Sequence, residues 1–401
     1  MPKIVADLHI HSKYSRATSP KNDLENLAKA AEIKGIQVLA TGDFTHPDWF
    51  KELQELKESE QGLFTYKNSK TRFILSSEIS CIYSKNGKVR KIHMLILAPS
   101  LSVVEKINQE LSKIGNLRAD GRPILGLDAK ELVKIVLDVS SDCFCIPCHI
   151  WTPWFSVFGS KSGFDTLEEC FEDYTKYIYA VETGLSSDPA MNWRLSGLDK
   201  VSLISCSDAH SLPKLAREAC VLDVDLNYNS IIEAIKTKKG FLYTIEFFPE
   251  EGKYHFDGHR ACNISLKPQE HKGICPVCKR PLTIGVLSRV NELADRKEGF
   301  KPKNAIPFKS LIPLQEIIAE CFDVGPLTKK VQAVYNNLIK KSSELDILLH
   351  INTNDIFPAI IGEGIERVRQ GKVKIEPGYD GVYGQIKIFS EKERASQKTL
   401  F

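Results

Sequence analysis

Apolar and polar positions in residues 1–247 alternate between a helical and a strand-like period. In the first helical segment, apolar residues from Leu24 to Ala31 recur at helical spacing, Asn22 or Asp23 can cap the amino end, and Gly35 can end the helix. Short apolar runs between such segments predict strands at 4–6, 37–41, 72–77, 89–97, 143–148, 178–183, 201–207 and 241–245. This alternation predicts a parallel α/β architecture, either an open sheet or a barrel.

Side chains able to bind a metal fall at the carboxyl ends of most of these predicted strands. His9 and His11 follow the first strand, and the period of two places both imidazoles on one side. The other members are Asp43, Glu78, His149, Asp208 and His210 after later strands, and His93 inside the strand that follows an Asn86-Gly87 hairpin turn. In a β/α barrel these strand ends converge on one face, so the set predicts a metal-dependent active site there. A chance alignment of core residues is the alternative.

A second group of metal-capable residues lies further along the chain. Its members are His259, Cys262, Cys275 and Cys278. A Cys-x-x-Cys pair facing a second pair of ligands is typical of a closed tetrahedral zinc site, and such an ion would organise a segment with little core of its own. His255 and His271 are also within reach, which leaves the identity of the histidine ligand open. The other cysteines among the eleven of the chain are better explained as small core thiols.

Composition and charge bound the class of protein and its partners. The 401 residues suffice for two or three domains, and 42% hydrophobic with 26% charged residues are globular values. No apolar run reaches ~18 residues and residues 1–20 carry no signal-peptide pattern, which predicts a cytoplasmic protein with no membrane partner. Between Lys253 and Lys309, twelve Lys or Arg oppose five Asp or Glu, although the net charge of the whole chain is only +3. This basic segment predicts a surface for a polyanion, with an ordinary solvated face as the alternative.

An aromatic loop follows the strand at 143–148. Its residues Trp151, Trp154 and Phe155 could stack on a base or wedge a duplex open, or they could pack over the mouth of a barrel. The candidate phosphate contacts are Arg194, Arg217 and Arg260. Together these six residues are the predicted DNA-binding set.

Residues 301–390 predict a mainly helical carboxy-terminal domain. Helical periodicity covers 314–321, 326–340 and 364–370, and 385–389 is predicted to be a strand. A DNA-gripping lobe and a plain packing domain both suit this pattern. We therefore divide the chain into a barrel at 1–247, a zinc-binding domain at 248–300, the helical domain at 301–390 and a tail at 391–401.

The tail contains a fragment of a sliding-clamp motif. Gln397 is followed three residues later by Leu400, as in segments that bind a sliding clamp (PCNA), but the later aromatic residues of that motif are absent. Either the chain was cut short here or the match is due to chance.

The strand-end residues resemble the PHP (polymerase and histidinol phosphatase) superfamily. The matching pieces are Asp7-Leu8-His9-Ile10-His11-Ser12, the glycine-preceded Asp43 segment, Glu78, His93, His149 and Cys206-Ser207-Asp208-Ala209-His210. The resemblance implies a distorted (β/α)7 barrel that binds two or three divalent metals and hydrolyses phosphoesters. It implies one ion held by His9, His11, Glu78 and Asp208, a second held by Glu78, His93 and His149, and His210 near a third position or the attacking water.

Two departures from the superfamily pattern put a third metal in doubt. Asp43 is followed by Phe44 where the family often has histidine, and the nearest histidine is His46. Arg16 falls where a further His or Asp is common. We hypothesise that the Arg16 guanidinium takes the place of the third ion against a phosphate oxygen, with an exposed loop arginine as the alternative.

Over essentially its full length the chain resembles the endonuclease Q family. The resemblance is carried by the stretches 149–155, 182–189, 257–260 and 377–384, together with the barrel and zinc patterns. It implies that the protein nicks DNA immediately 5′ of deaminated bases, namely uracil, hypoxanthine and xanthine, and at abasic sites.

We therefore predict a metal-dependent DNA repair endonuclease with two active-site ions, one structural zinc, and lesion-containing DNA as its partner. Glu78 would bridge the two ions, Asp208, His210 and Arg16 complete the predicted catalytic set, and the target base would be everted. The four histidines favour Zn²⁺, Mn²⁺ or Fe²⁺ over Mg²⁺. The alternatives are a PHP small-molecule phosphatase, a 3′–5′ proofreading exonuclease and a non-catalytic DNA-binding module.

Overall fold

The computed structural model describes residues 3–268, 272–390 and Glu393. Its strands are β1 (Ile4–Asp7), β2 (Val38–Ala40), β3 (Lys57–Glu60), β4 (Leu63–Thr65), β5 (Arg72–Lys85), β6 (Lys88–Ala98), β7 (Ile124–Leu125), β8 (Phe144–Pro147), β9 (Ala180–Glu182), β10 (Ser202–Ile204), β11 (Ala219–Leu222), β12 (Phe241–Glu246), β13 (Asp257–His259), β14 (Ile264–Leu266), β15 (Phe308–Ser310), β16 (Lys374–Glu376) and β17 (Gln385–Lys387). Its helices are α1 (Leu24–Lys34), α2 (Pro47–Leu53), α3 (Leu101–Ser112), α4 (Ala129–Val139), α5 (Leu167–Phe171), α6 (Pro189–Asn192), α7 (Tyr228–Thr237), α8 (Val286–Leu293), α9 (Leu314–Phe322), α10 (Lys329–Ile339), α11 (Glu344–Leu349) and α12 (Ala359–Arg369).

The first helix begins and ends at the predicted residues. The Asp23 side chain accepts a hydrogen bond from the backbone N–H of Asn26 at 2.9 Å, which satisfies one of the free donors at the amino end of α1. Gly35 adopts the left-handed conformation, with φ of 87°, and ends the helix. The predicted helix is therefore confirmed, and its buried residues include the predicted apolar positions from Leu24 to Ala31.

A large mixed sheet forms the centre of the molecule. Its main path runs β15-β12-β11-β1-β2-β5-β4-β3, with β6 and β7 paired to β5 and β8 paired to β6. Strand β1 pairs in parallel with β2 but antiparallel with β11, a strand that the apolar pattern did not predict. The prediction of an α/β fold is confirmed, but the sheet is mixed and not parallel, because β11 adds antiparallel pairs to those of the predicted β5–β6 hairpin. The closed barrel and the domain limits stay predictions.

The longest strand pair positions two of the predicted ligands. Strands β5 and β6 are joined at Asn86 and Gly87, which have φ of 54° and 70°, as the predicted two-residue hairpin turn requires. In their register Ser80 lies opposite His93, and Glu78 lies opposite Leu95. Glu78 and His93 are therefore diagonal neighbours on one face of the hairpin.

One continuous apolar core extends from Ile4 in β1 to Phe389 near the end of the described chain. Strand β15, in the predicted carboxy-terminal domain, pairs in parallel with β12, in the predicted barrel. Within the described residues, no helix has the length and the apolar character needed to cross a membrane. The sliding-clamp fragment at 397–401 lies outside the described residues.

Candidate active site

The structure brings the predicted ligands together in two groups that share Glu78. The first comprises His9, His11, Glu78 and Asp208, the second comprises Glu78, His93 and His149, and within each group the ligand atoms lie within 4.8 Å of one another. In the first, His11 Nε2 lies 3.1 Å from both Glu78 Oε2 and Asp208 Oδ1. In the second, Glu78 Oε1 lies 2.6 Å from His93 Nδ1 and 3.2 Å from His149 Nε2. Their role as ligands stays a prediction, but their convergence is a fact of the fold.

Two carboxylates orient the histidines of the first group. His9 Nδ1 lies 3.0 Å from Glu182 Oε1, and His11 Nδ1 lies 2.9 Å from Asp43 Oδ1. These contacts turn both Nε2 atoms toward the centre of the group, where they are buried and have no hydrogen-bond partner in the described part of the chain. Asp208 Oδ1 is in the same condition. Buried nitrogen and oxygen atoms left free in this arrangement fit a divalent cation, because a carboxylate behind a histidine is the usual support of a metal ligand.

The backbone is strained at three residues of the site. Asp43, His149 and Asp208 have φ of 49°, 27° and 46°, a region that residues with a side chain seldom adopt. Gly184 explains how His149 is accommodated, because a Cβ atom there would lie 2.3 Å from the Cβ of His149. The chain therefore holds these side chains in place against a local conformational preference.

Carboxylates dominate the electrostatics of the site. Burial alone would lower the pKa of His9, but the charge of Glu182 and its neighbours outweighs burial and raises this pKa well above the usual range. Burial would raise the pKa of Asp208, yet the nearby His11 imidazole and the positive charge of His9 outweigh burial and hold it below the usual range. The site thus attracts positive charge, and a metal ion binding there would displace protons from the imidazoles.

The remaining predicted catalytic residues lie at different distances from this centre. His210 packs its ring 4.4 Å from that of His11, and its Nδ1 lies 2.9 Å from the backbone oxygen of Asp208. Arg16 is not brought to the ligands: its side chain is 85% exposed, and its Nε lies 3.9 Å from Asp120. The alternative of an exposed loop arginine therefore describes Arg16 in this structure.

The aromatic loop divides into buried and exposed parts. Trp151 is 1% exposed and donates its indole N–H to Asn192 at 2.8 Å, so it is a core residue in this structure. Trp154 is 45% exposed, and Phe155 packs its ring 4.6 Å from the ring of His93. The loop therefore exposes the ring of Trp154, next in sequence to a residue that contacts the second ligand group.

The predicted phosphate contacts are not alike. Arg217 donates from Nε to the backbone oxygen of Ser207 at 2.9 Å and so supports the segment that carries Asp208. Arg194 donates to Asn291 in α8, whereas Arg260 is exposed. Among the three, Arg260 has the side chain most accessible to a partner.

The four residues of the predicted zinc site also lie close together. His259, Cys262, Cys275 and Cys278 place their ligand atoms within 4.8 Å of one another, whereas His255 is outside this group and His271 lies outside the described residues. Burial raises the pKa of the Cys275 thiol, but the backbone N–H groups of Val277 and Cys278 outweigh it and bring it to about 6. This favours the thiolate, which is the metal-binding form.

Three residues of the site have no place in the predicted set. Glu182 follows the strand-end rule and could have been found by it, since it is the last residue of β9, within the segment predicted at 178–183. Arg122, whose Nη1 lies 3.0 Å from Glu78 Oε2, is in an irregular loop with no such signal. Arg289 in α8 donates to the backbone oxygens of Phe158 and Phe164 at 3.1 and 3.2 Å, which joins the segment predicted to bind zinc to the chain around the aromatic loop.

Comparison with known proteins identifies the family. Residues 313–372 match a family model described as the MJ0043 C-terminal domain. The uncharacterized protein YqxK of Bacillus subtilis is 31% identical over 96% of this chain and 100% of its own length. The crystal structure of the lesion-specific endonuclease PfuEndoQ from Pyrococcus furiosus aligns with a TM-score of 0.87 and 30% identity, over 98% of this chain and 99% of that one. This chain belongs to the endonuclease Q family.

Two further relatives extend the comparison. An endonuclease Q structure solved with a 27-mer duplex substrate, with an abasic lesion at the active site, has a TM-score of 0.86 and 31% identity, over 97% of this chain and 98% of that one. The uncharacterized protein MJ0043 of Methanocaldococcus jannaschii is 35% identical over 61% of this chain, and the match spans 32% of that longer protein. The prediction of an enzyme of the endonuclease Q family is thus confirmed.

Proposed function

We propose that this protein is a DNA repair endonuclease that hydrolyses the phosphodiester bond 5′ of deaminated bases and abasic sites. The observation that carries the proposal is the alignment with a lesion-specific endonuclease over 98% of the chain, combined with the two ligand groups around Glu78. A shared fold alone would not carry it, because function depends on the site.

The proposed fold around this site is a distorted seven-stranded barrel. Backbone hydrogen bonds beyond the strand ends support closure: Ile150 N donates to Glu182 O at 3.1 Å, next to β8 and β9, and His11 N donates to Ala209 O at 3.0 Å, next to β1 and β10. Together with the ladders already described and the parallel pairing of β9 with β10, these contacts support a circuit of β1, β2, β5, β6, β8, β9 and β10. Such a circuit gathers the strand ends that carry the ligands.

The residues of the two groups would hold a pair of divalent ions. When bound, such ions polarise a phosphate oxygen, lower the pKa of a water molecule and stabilise the charge on the leaving oxygen. Glu182 and Asp43 keep the imidazoles of His9 and His11 turned inward, and Glu78 presents one oxygen to each group. The mixed histidine and carboxylate set suits Zn²⁺ or Mn²⁺.

Recognition of a lesion requires the nucleotide to leave the duplex. A base inside an intact duplex cannot reach a buried centre, and eversion costs least where pairing is already weak, as at a deaminated or missing base. Trp154 is exposed in the loop whose next residue, Phe155, packs against His93, and its ring could fill the gap left by the everted nucleotide. The basic segment 253–309 and the exposed Arg260 would contact the phosphate backbone on either side.

The decisive test is a nicking assay on an end-blocked duplex that contains one deoxyuridine, deoxyinosine or abasic site. We expect one break 5′ of the lesion in the presence of Mn²⁺, Zn²⁺ or Mg²⁺, and no break in the same duplex without the lesion. Asp208→Asn should lower cleavage at least about 100-fold because it removes a ligand charge. Asp225→Asn, an exposed residue, is the matched control and should cleave like the wild type.

Other outcomes would point to other functions. Digestion that requires a free 3′ end would make the protein an exonuclease, and rapid phosphate release from small monoesters without nicking would make it a phosphatase. If the wild type binds the lesion without hydrolysing the DNA, and Asp208→Asn binds it equally well, the protein is a non-catalytic DNA-binding module.

A further inference from the structure

An arginine borders both ligand groups. Arg122 donates from Nη1 to Glu78 Oε2 at 3.0 Å, and the same carboxylate oxygen lies 3.1 Å from His11 Nε2. The other oxygen of Glu78 belongs to the group of His93 and His149. Arg122 is therefore one hydrogen bond away from the residue that both groups share.

The loop that carries Arg122 is built into the site. Gly121 N donates to Tyr14 O at 3.0 Å, and Arg122 N donates to Asp120 Oδ1 at 3.1 Å. A Cβ atom at Gly121 would lie 2.5 Å from Oδ2 of Asp43, the residue that orients His11. Because the backbone passes this close to the site, the position of the guanidinium is set by the same contacts that arrange the ligands.

The guanidinium of Arg122 has N–H groups that are not used in hydrogen bonds within the described chain. Arginine carries five N–H groups, and within the described chain the guanidinium of Arg122 uses only Nη1 for a hydrogen bond, to Glu78. Its side chain is 25% exposed, while that of Glu78 is fully buried. Part of the guanidinium thus reaches solvent at the mouth of the site, where an anion can meet it.

We infer that Arg122 binds the scissile phosphate through its free N–H groups and stabilises the charge that develops on the phosphate oxygens. Planar N–H pairs suit phosphate oxygens, and a donor held in place before the reaction acts most strongly where charge increases. Arg122 thereby performs the role that the sequence suggested for Arg16. The inference rests on the proposed function and assigns a residue to the same site.

The rival explanation is that Arg122 only holds Glu78 in place. Measurements on the metal-loaded protein separate the two roles through the variants Arg122→Met and Arg122→Lys. The matched control is Arg118→Met, because Arg118 is in the same loop, is 62% exposed and pairs with Asp48 away from the ligands. The three readouts are metal content per chain, binding of inorganic phosphate by calorimetry, and hydrolysis of bis(p-nitrophenyl) phosphate.

We expect Arg122→Met to keep the metal content of the wild type, to weaken phosphate binding about tenfold, and to lower kcat about 100-fold. Arg122→Lys should recover part of both losses, because it restores the charge without the planar pair of donors. Arg118→Met should match the wild type in all three measurements.

Two results would overturn the inference. If metal content falls together with activity in both Arg122 variants, Arg122 only holds Glu78 in place. If phosphate binding is unchanged in these variants, Arg122 does not contact the substrate phosphate. If Arg122→Met does not fold, the Lys variant and its phosphate affinity decide. A wild type that hydrolyses the model diester but not lesion DNA would refute the proposed function and leave the role of Arg122 to be judged on the model diester and on phosphate.

Discussion

Among single residues, the candidate ligands of the active site depend on the side chains that hydrogen-bond to them, and Glu182 is the clearest example. Glu182 contacts His9 through both carboxylate oxygens, at 3.0 and 3.2 Å, and also accepts the backbone N–H of His149 at 2.8 Å. One carboxylate from β9 thus fixes residues that follow β1 and β8. We therefore expect the loss of the Glu182 charge to lower metal affinity more than it lowers the stability of the fold.

Glu182→Gln tests this dependence. The substitution keeps the size of the side chain but removes the charge that orients His9, so we expect metal affinity at the active site to fall about 10–100-fold. Calorimetric titration of Mn²⁺ into metal-free protein measures the loss. Glu168→Gln, at an exposed position in α5, is the control and should bind like the wild type. Equal affinity in both variants would contradict the role of Glu182.

A buried pair of carboxyl groups predicts a pH dependence of stability. Glu218 and Glu246 are both 0% exposed, and burial raises the pKa of each above its usual value of 4.5. Well below pH 4.5 both groups are neutral in the folded and unfolded chain. As the pH rises, the unfolded chain ionises first, so the free energy of unfolding falls until the folded groups ionise as well.

Glu246→Gln should remove much of this loss. We expect the variant to match the wild type near pH 4, below the usual carboxyl pKa, and to be more stable at pH 9, by on the order of 1–3 kcal/mol, because a pKa change of one unit corresponds to about 1.4 kcal/mol. Urea unfolding at the two pH values is the measurement. A variant that is equally destabilised at both values would show that the carboxyl is needed for its hydrogen bonds from Ser205 and Thr244 instead.

At the scale of elements, an ion pair joins the first helix to the carboxy-terminal helices. Lys34 at the end of α1 lies 2.9 Å from Oε2 of Glu344 in α11, and their side chains are 8% and 3% exposed. Tyr335 donates to the same carboxylate at 2.7 Å, and the backbone N–H of Leu314 donates to its other oxygen at 3.1 Å. Both oxygens of the buried carboxylate therefore have hydrogen-bond partners, which offsets the cost of burying its charge.

Lys34→Met should be strongly destabilising, by about 3–5 kcal/mol, because it leaves the Glu344 carboxylate buried without its counter-charge. Adding Glu344→Leu should restore part of the loss, and denaturant unfolding of the two variants measures both effects. Lys29→Met is the control, since Lys29 pairs with Glu25 on the exposed face of the same helix, where a pair contributes about 0–1 kcal/mol. Similar losses at Lys34 and Lys29 would refute the importance of the buried contact.

Across the molecule, short-range sequence patterns correctly predicted the features that depend on neighbouring residues in the chain. Helix α1, the β5–β6 hairpin and the strand ends that carry His9 or Asp208 follow from periodicity, caps and turn residues. Strand β11 was not predicted, because its four residues are all buried and show no alternation of apolar and polar positions. In the sheet it nevertheless lies between β1 and β12. Its position depends on neighbours that are distant in sequence.

The site divides in the same way. Ligands at strand ends could be placed together because the architecture gathers those ends. Arg122 could not, because its contact with Glu78 depends on the course of an irregular loop. Trp151 has an aromatic ring that could stack on a base, but it lies in the core and donates a hydrogen bond to Asn192. The two residues are 41 positions apart in the sequence, so no local pattern predicts this contact. Side-chain direction in loops is a property of the folded chain.

The pairing of β12 with β15 has a practical consequence for dissecting the molecule. Thr244, Ile245 and Glu246 lie opposite Phe308, Lys309 and Ser310, so the sheet is completed by residues some sixty positions after β12 ends. A fragment that stopped at 247 would leave the N–H and C=O groups along one side of β12 open to any other strand, which invites aggregation. A truncated version meant for isolated study should therefore extend through Ser310.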